Sequence, residues 1–527
     1  MTGPGATRDA SSLSSTGFGS FPGFGEGAPL DVPGLDQPHI ARALVGRLRD
    51  GSWHAFAETA ASVGYCSQPV RLIGHSETYD WNTGELVSSF RSQDTPLGVL
   101  YRRCGNRRAH VCPSCSRVYA RDTFELIRAG VAGGKTVPET VADNPLLFVT
   151  LTAPSFGLVH GTRHGGRACR PRRKDDRTRC PHGRPTWCHA THDEGDEATG
   201  QPLCVECYDY TSHVLWQWWA PELWRRFTID VRRRLARLLG VKEHRLPAVA
   251  SLQYAKVAEP QHRGVMHFHA LVRLDGPAKD GVGSPAPACV DVDHLTAVLR
   301  AAAAHVEYLA PPAYPDDPGH VLRFGAQVDA RAVHTGNRVD DPAGPVTPAQ
   351  VAGYLAKYAT KDASNATGDT RCDTAHLRAI REACRTLHGH ARDRAEEARA
   401  TGQACENAEP DPYLLLGKWT HMLGFRGHFS TKSRRYSITL GALRRARHRW
   451  QIRAAQAQRT SQPLDVADLE AQLLAEDEDE TTLVVGSWTY DGTGWATPGD
   501  AALANAAAAR AREYDQWRAD QRQGQGK

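Results

Sequence analysis

Lysine is scarce in this chain: of 64 basic residues, 10 are lysine and 54 are arginine. No apolar run approaches the ~18 residues a membrane-spanning helix needs, so a helical membrane protein is excluded and no membrane partner is expected. The first residues lack the basic stretch and apolar core of a secretory signal, so the expected location is cytoplasmic. There is no Gly-x-x-x-x-Gly-Lys-Ser/Thr segment, which argues against a fused nucleotide-driven motor. Internal repeats are lacking too. A formal net charge of +5 on 527 residues is too mild to imply a nucleic-acid partner by itself, so charge has to be read locally.

Cysteine is present but does not suit disulfides. Thirteen is an odd count, and several cysteines stand in close pairs, a pattern that in a non-exported chain favours metal. Cys112-x-x-Cys115, with Cys104 upstream, resembles half a zinc site. Cys204-x-x-Cys207, with Cys180 and Cys188 upstream, reads as a four-cysteine site. Spacing leaves the grouping open: Cys104, Cys112 and Cys115 could instead join Cys204 and Cys207, with His182, His189 and His192 as alternates. Cys66, Cys289, Cys372, Cys384 and Cys405 stand alone and read as packing residues. Structural Zn²⁺ is therefore an expected cofactor.

Composition divides the chain into five stretches. Residues 1–37, rich in Gly, Ser, Pro and Phe, read as a disordered lead. Residues 38–145 read as a helical region around the first cysteine cluster. Residues 146–365 hold the patterned segments, with a cysteine-rich, loop-like insertion at about 160–210. Residues 366–460 form a basic helical region, and 461–527 an acidic then Ala-rich tail. Within the third stretch, strands are expected at 146–154, 248–258 and 265–274. Helices are expected at 220–240, with Pro221 in its first turn, and at 291–308. Residues 163–184 carry nine Arg or Lys against two Asp, and 431–453 carry eight and no acid. Arg172, Arg173, Arg434 and Arg435 are thus candidates for contact with a DNA backbone; the plain alternative is solvated surface.

The segment "VMHFHALVRL" (265–274) alternates. Met266, Phe268, Ala270, Val272 and Leu274 make one apolar face, while His267 and His269 fall together on the other. Two imidazoles two residues apart on a strand can converge on one cation. The preceding strand ends in a turn with Pro260 and Gly264. A loop of 260–264 pairs Glu259 with Val265 and puts its carboxylate on the histidine face. One carboxylate and two imidazoles with positions left open suit Mn²⁺ or, less naturally, Mg²⁺. "LLFVTLT" (146–152) is a half-buried strand with Thr150 and Thr152 on one side, where hydroxyls can meet phosphates. "TPAQVAGYLAKYATK" (347–361) has a capping box from Thr347 and Gln350 with Pro348 between. It places Tyr354 and Tyr358 one turn apart, flanked by Lys357 and Lys361. Val351, Tyr354, Leu355 and Tyr358 would equally make an ordinary apolar stripe.

Taken in order, "FVTLT", "HFHALV" and "YLAKYATK" resemble the three motifs of rolling-circle replication initiators of the HUH endonuclease superfamily, the last in its two-tyrosine form. The intervening cysteine-rich segment and the downstream "LGFRGHFSTKSRRYS" are similar to initiators of actinomycete integrative conjugative plasmids. The resemblance implies an α+β fold: an HUH core with a ferredoxin-like antiparallel sheet flanked by helices, a zinc-binding insertion and a helical C-terminal region. It also implies a bacterial, metal-dependent endonuclease that nicks one strand at a plasmid replication origin. Tyr354 and Tyr358 would be nucleophiles, Lys357 and Lys361 would tend the phosphate, and His267, His269 and Glu259 would hold Mg²⁺ or Mn²⁺. The product is a 5′-phosphotyrosine and a 3′-hydroxyl primer, with later rejoining of the displaced strand, so a host helicase and polymerase are expected partners. A transposase or mobilisation relaxase of the same superfamily remains an alternative, as does a non-enzymatic zinc-dependent DNA-binding regulator.

Overall fold

The computed structural model describes residues 36–163, 166–172, 179–193, 195–333, 348–359, 374–402, 409–460, 469–474 and 482–524. The chain divides into two units, Met1–Asp122 with Leu440–Lys527, and Thr123–Thr439. This differs from the linear division expected from composition. The tail supplies a strand, Thr482–Thr493, that pairs antiparallel with Val70–Asp80 along its whole length. That strand also takes Leu86–Arg91 and Leu100–Arg102 as antiparallel partners. A small core of Ile40, Leu44, Phe56, Tyr101, Trp495 and Leu503 holds this first unit. The Ala-rich tail helix Pro498–Gly524 is tied to helix Pro38–Arg49 by a 2.8 Å ion pair from Arg47 to Asp500.

The second unit is built on a five-stranded sheet. Its spatial order is Ser430–Lys432, Ser251–Pro260, Met266–Asp275, Leu146–Leu151, Val328–Ala332, with every neighbour antiparallel. Leaving out the short edge strand 430–432 and a separate two-stranded hairpin of Glu307–Ala310 and His320–Arg323, the chain runs strand, helix, strand, strand, helix, strand. The sheet order of those four strands is 4-1-3-2. The two helices, Tyr210–Leu238 and Val292–His305, connect strands that are not sheet neighbours.

The alternation of the His strand sets the layers. Met266, Phe268, Ala270, Val272 and Leu274 are all buried in the core beside Leu147, Val149 and Leu151. Trp216, Trp218, Leu223 and Phe227 of the long helix belong to the same core. Each such fully buried side chain contributes on the order of 1.5–3 kcal/mol. The opposite face is less open than its sequence suggests. Leu271 and Arg273 on it are fully buried, and Arg273 donates to Asp275 at 2.6 Å.

Two expectations shift. The helix expected from 220 begins at Tyr210, where the Asp209 carboxylate accepts from the Ser212 amide at 2.8 Å, so Pro221 lies inside it. The hairpin loop is displaced by one residue, to 261–265: Pro260 pairs with Met266, and Glu259 pairs with His267 rather than Val265. A change of two residues preserves the face, because side chains alternate with period two. Glu259 therefore stays on the histidine side.

Candidate active site

Three of the sheet's strands and one helix bring the candidate residues together. Within the hairpin, Glu259 stands directly across from His267 and Val257 across from His269. On the other side of the His strand, Thr150 stands across from His269. Helix Pro348–Ala359 carries Tyr354. The Glu259 Oε2 atom lies 3.1 Å from His267 Nε2 and 2.9 Å from His269 Nε2, and the two Nε2 atoms are 3.1 Å apart. The Tyr354 hydroxyl is 3.1 Å from His269 Nε2 and 3.2 Å from Glu259 Oε2. Four polar atoms thus converge on one point. A cation held octahedrally at ~2.1 Å separates adjacent ligands by about 3 Å, so the carboxylate and two imidazoles fit a six-coordinate divalent ion. The donor set, nitrogen and oxygen without sulfur, suits Mn²⁺ or Mg²⁺ rather than a thiophilic metal.

The surroundings fix these atoms. Phe148 stacks on His269 with ring centroids 5.6 Å apart, and the Tyr354 ring meets both edge-on, 5.1 Å from His269 and 5.8 Å from Phe148. Thr150 Oγ1 is 3.0 Å from His269 Nδ1, and Gln261 Nε2 is 3.3 Å from His267 Nδ1. Each imidazole thus has a partner at the nitrogen turned away from the cluster: the Thr150 hydroxyl can accept from His269 Nδ1, as the second nitrogen of a metal-ligating histidine requires, whereas the Gln261 amide nitrogen donates to His267 Nδ1. Burial opposes ionisation of Glu259, but the hydrogen bonds from the two histidines outweigh it and hold the carboxyl at about 2. Burial pushes His269 below its ordinary value, which favours the neutral, ligating form.

Other candidates fall elsewhere. Thr150 serves His269, and Thr152 is buried with its hydroxyl donating to the Gln327 carbonyl at 2.9 Å. Both hydroxyls therefore have partners within this unit. Tyr358 and Lys357 lie one turn along from Tyr354 in the same helix, their backbone alone described; Lys361, the capping Thr347 and Arg173 fall outside the described residues. Arg172 and Arg434 are exposed. Arg435 is exposed too, and its guanidinium donates to the Ala278 carbonyl.

The cysteines group differently from either arrangement read from spacing. Cys66 joins Cys104, Cys112 and Cys115 in the first unit; it is a member of a cluster, not a packing residue. Its sulfur is 3.7 Å from that of Cys112 and 3.6 Å from that of Cys115. In the insertion, Cys180 and Cys188 separate. Cys180 goes with His182, Cys204 and Cys207, and Cys188 with His160, Cys169 and His192. His160 and Cys169 were not singled out in the sequence. Both lie within the insertion, where weighing every lone Cys and His beside the Cys-x-x-Cys pair would have found them. His189 belongs to no such group among the described residues, and Cys384 is packed in the core.

Comparison with known proteins identifies the family. The family RepSA, described as the replication initiator protein of pSAM2, matches residues 52–509. A replication initiator protein of Streptomyces ambofaciens is 40% identical over 445 residues, which span 84% of this chain and 86% of the relative. No solved structure matches. The chain belongs to the RepSA family of replication initiator proteins.

No helix among the described residues is long and apolar enough to cross a membrane.

Proposed function

We propose that this protein initiates rolling-circle replication in the bacterial cytoplasm by nicking one DNA strand at a plasmid origin. One observation carries the reading: the Tyr354 hydroxyl sits within 3.2 Å of a carboxylate and an imidazole of a Glu–His–His cluster. A phenol is a weak nucleophile at neutral pH, and a cluster that can hold a divalent ion is where a phosphodiester would become attackable. The strand order 4-1-3-2 is that of a ferredoxin-like sheet and supports the HUH assignment.

Glu259, His267 and His269 would hold Mg²⁺ or Mn²⁺, which when bound polarises the scissile phosphate and stabilises charge on it. The other steps fall to the chain. The tyrosine oxygen forms a new P–O bond while the bond to the 3′ oxygen breaks. The products are a 5′-phosphotyrosine ester and, after protonation, a free 3′-hydroxyl. One ester replaces another, so nicking needs no nucleotide and the reverse reaction reseals the strand. Lys357 and Lys361 would offset charge on the phosphate; lysine suits this as a compact, adjustable cation. The free 3′ end would prime a host polymerase, with a host helicase opening the duplex. The cysteine clusters would hold structural Zn²⁺.

The test is incubation with a supercoiled plasmid carrying the cognate origin. Expected are Mg²⁺- or Mn²⁺-dependent relaxation and a protein–DNA adduct mapping to Tyr354 or Tyr358. Origin binding with neither relaxation nor adduct would leave a non-enzymatic regulator as the better reading.

A further inference from the structure

Residues 160–207 are held together by something other than a core. Among the described residues of this insertion, Cys169, Pro202 and Cys204 are the buried apolar side chains, and no helix or named strand is present. A segment this long with so little apolar burial cannot offset its chain entropy. Yet the backbone is well connected. Arg170 and Cys188 exchange both backbone hydrogen bonds at 2.9 Å, and His160 accepts from Gly200 and donates to Gln201, each at 2.8 Å.

The two ligand groups explain the order. His192 Nε2 is 3.1 Å from His160 Nδ1 and 3.4 Å from the Cys188 sulfur, and the Cys169 sulfur is 3.9 Å from His160 Nδ1. In the other group, His182 Nδ1 is 3.2 Å from the Cys207 sulfur and 3.8 Å from that of Cys204. A tetrahedral zinc, with sulfur at ~2.3 Å and nitrogen at ~2.0 Å, spaces its ligands about 3.3–3.8 Å apart. The outer contacts also match a metal site. His192 Nδ1 is 2.5 Å from the Asp196 carboxylate, and the Gly161 amide donates to the Cys169 sulfur at 3.3 Å. A carboxylate on the far nitrogen of a ligating histidine, and an amide on a ligating sulfur, are usual second-layer partners.

The two groups interleave along the chain. The ligands come in four successive pairs: His160 and Cys169, Cys180 and His182, Cys188 and His192, Cys204 and Cys207. The first and third pairs form one group, the second and fourth the other. We propose that residues 160–207 form a cross-braced module binding two zinc ions, one at Cys169, Cys188, His160 and His192, the other at Cys180, His182, Cys204 and Cys207. Its ligand connections cross, so neither half can fold as a separate finger. The module also meets the catalytic hairpin. Gly200, at φ +87°, packs so tightly on the turn that a β-carbon there would come within 2.4 Å of the His262 carbonyl carbon. That turn carries Gln261, which borders His267.

The experiment needs no variant and no activity. Full-length protein, purified without chelator, is analysed for zinc. It is then stripped stepwise with a graded chelator while newly exposed thiols are alkylated and mapped by peptide mass spectrometry. Expected are three zinc ions per chain, counting the Cys66, Cys104, Cys112 and Cys115 cluster. Cys169 and Cys188 should lose protection together, and Cys180, Cys204 and Cys207 together as a second set. The proposal is overturned if only one zinc is found, if thiols of the insertion react freely in the zinc-loaded protein, or if Cys180 and Cys188 lose protection as one set while Cys169 or Cys204 stays protected.

Discussion

The Glu–His–His cluster and the cysteine-rich insertion both gather side chains that could hold a metal ion, but by opposite means. Glu259, His267 and His269 stand on paired strands whose apolar backs are buried. The sheet fixes their positions without an ion. The ligands of 160–207 stand on turns and isolated bridges, where the ion itself would supply the folding free energy. One cluster uses nitrogen and oxygen with positions left open, the other sulfur and nitrogen with four ligands each. An exchangeable catalytic ion and a fixed structural one are the respective expectations.

The largest effects should come from the sheet-held cluster. His267→Ala or His269→Ala should lower nicking by about a thousandfold or more while melting and origin binding stay near wild type. Mild chelation should do the same reversibly. If either variant nicks at the wild-type rate, that residue is not a ligand. The tyrosines give an effect of the same size only together. Tyr354→Phe and Tyr358→Phe should each retain some nicking, and the double variant none, as read by adduct formation on a labelled single-stranded origin oligonucleotide. Complete loss in one single variant with none in the other would mean one nucleophile.

In the insertion the damage should be to folding. Cys204→Ser, or Cys112→Ser in the first unit, should lower soluble yield and zinc content together, because the metal there is part of the fold. Soluble, active, zinc-free protein would erase the contrast between the two regions.

How far the sequence reveals each region follows from the same contrast. The sheet cluster was legible because strand period fixes faces: Glu259 and both histidines came out on one side even though the loop lies one residue further along than assumed. The insertion was not, because turns impose no period. Cys180 and Cys188 lie close in sequence yet belong to different groups, and Cys66 meets Cys104 across 38 residues. The tail strand 482–493 was missed because its partner lies some 400 residues upstream. Thr150 was placed on the open side of its strand as a phosphate contact, but its partner is an imidazole; only the cross-strand register shows that.

Thr150 offers a smaller effect that sharpens the comparison. If the sheet positions the imidazole through Thr150 Oγ1, Thr150→Val should weaken metal affinity by about 10–100-fold, and Thr150→Ser should restore it. The expected signature is a higher Mn²⁺ requirement with nicking recovered at saturating ion. A variant whose nicking falls with no change in Mn²⁺ dependence would point to a direct role for the hydroxyl in DNA contact instead.

The smallest predicted effect concerns a charge the sheet carries without help from metal. Lys256 is buried on the core face, its ammonium 4.4 Å from the centre of the Phe268 ring and 5.6 Å from that of Trp224. No carboxylate pairs with it among the described residues. Burial pushes it from 10.5 down to about 7. Aromatic faces attract a cation but do not replace its lost hydration. The sign follows from linkage. Between pH 7 and 10.5 the unfolded chain holds this proton and the folded one does not, so stability rises with pH through that window. Below pH 7 both forms are charged and the full burial cost stands. Lys256→Met keeps the length and removes the charge. It should therefore raise the melting temperature most at pH 6, by on the order of 5 °C, and the gain should shrink towards zero near pH 10. Paired melting curves from pH 6 to 10 check this. A difference that stays constant across that range would mean that Lys256 keeps its ordinary affinity for the proton, and that this layer of the sheet is wetter than its packing implies.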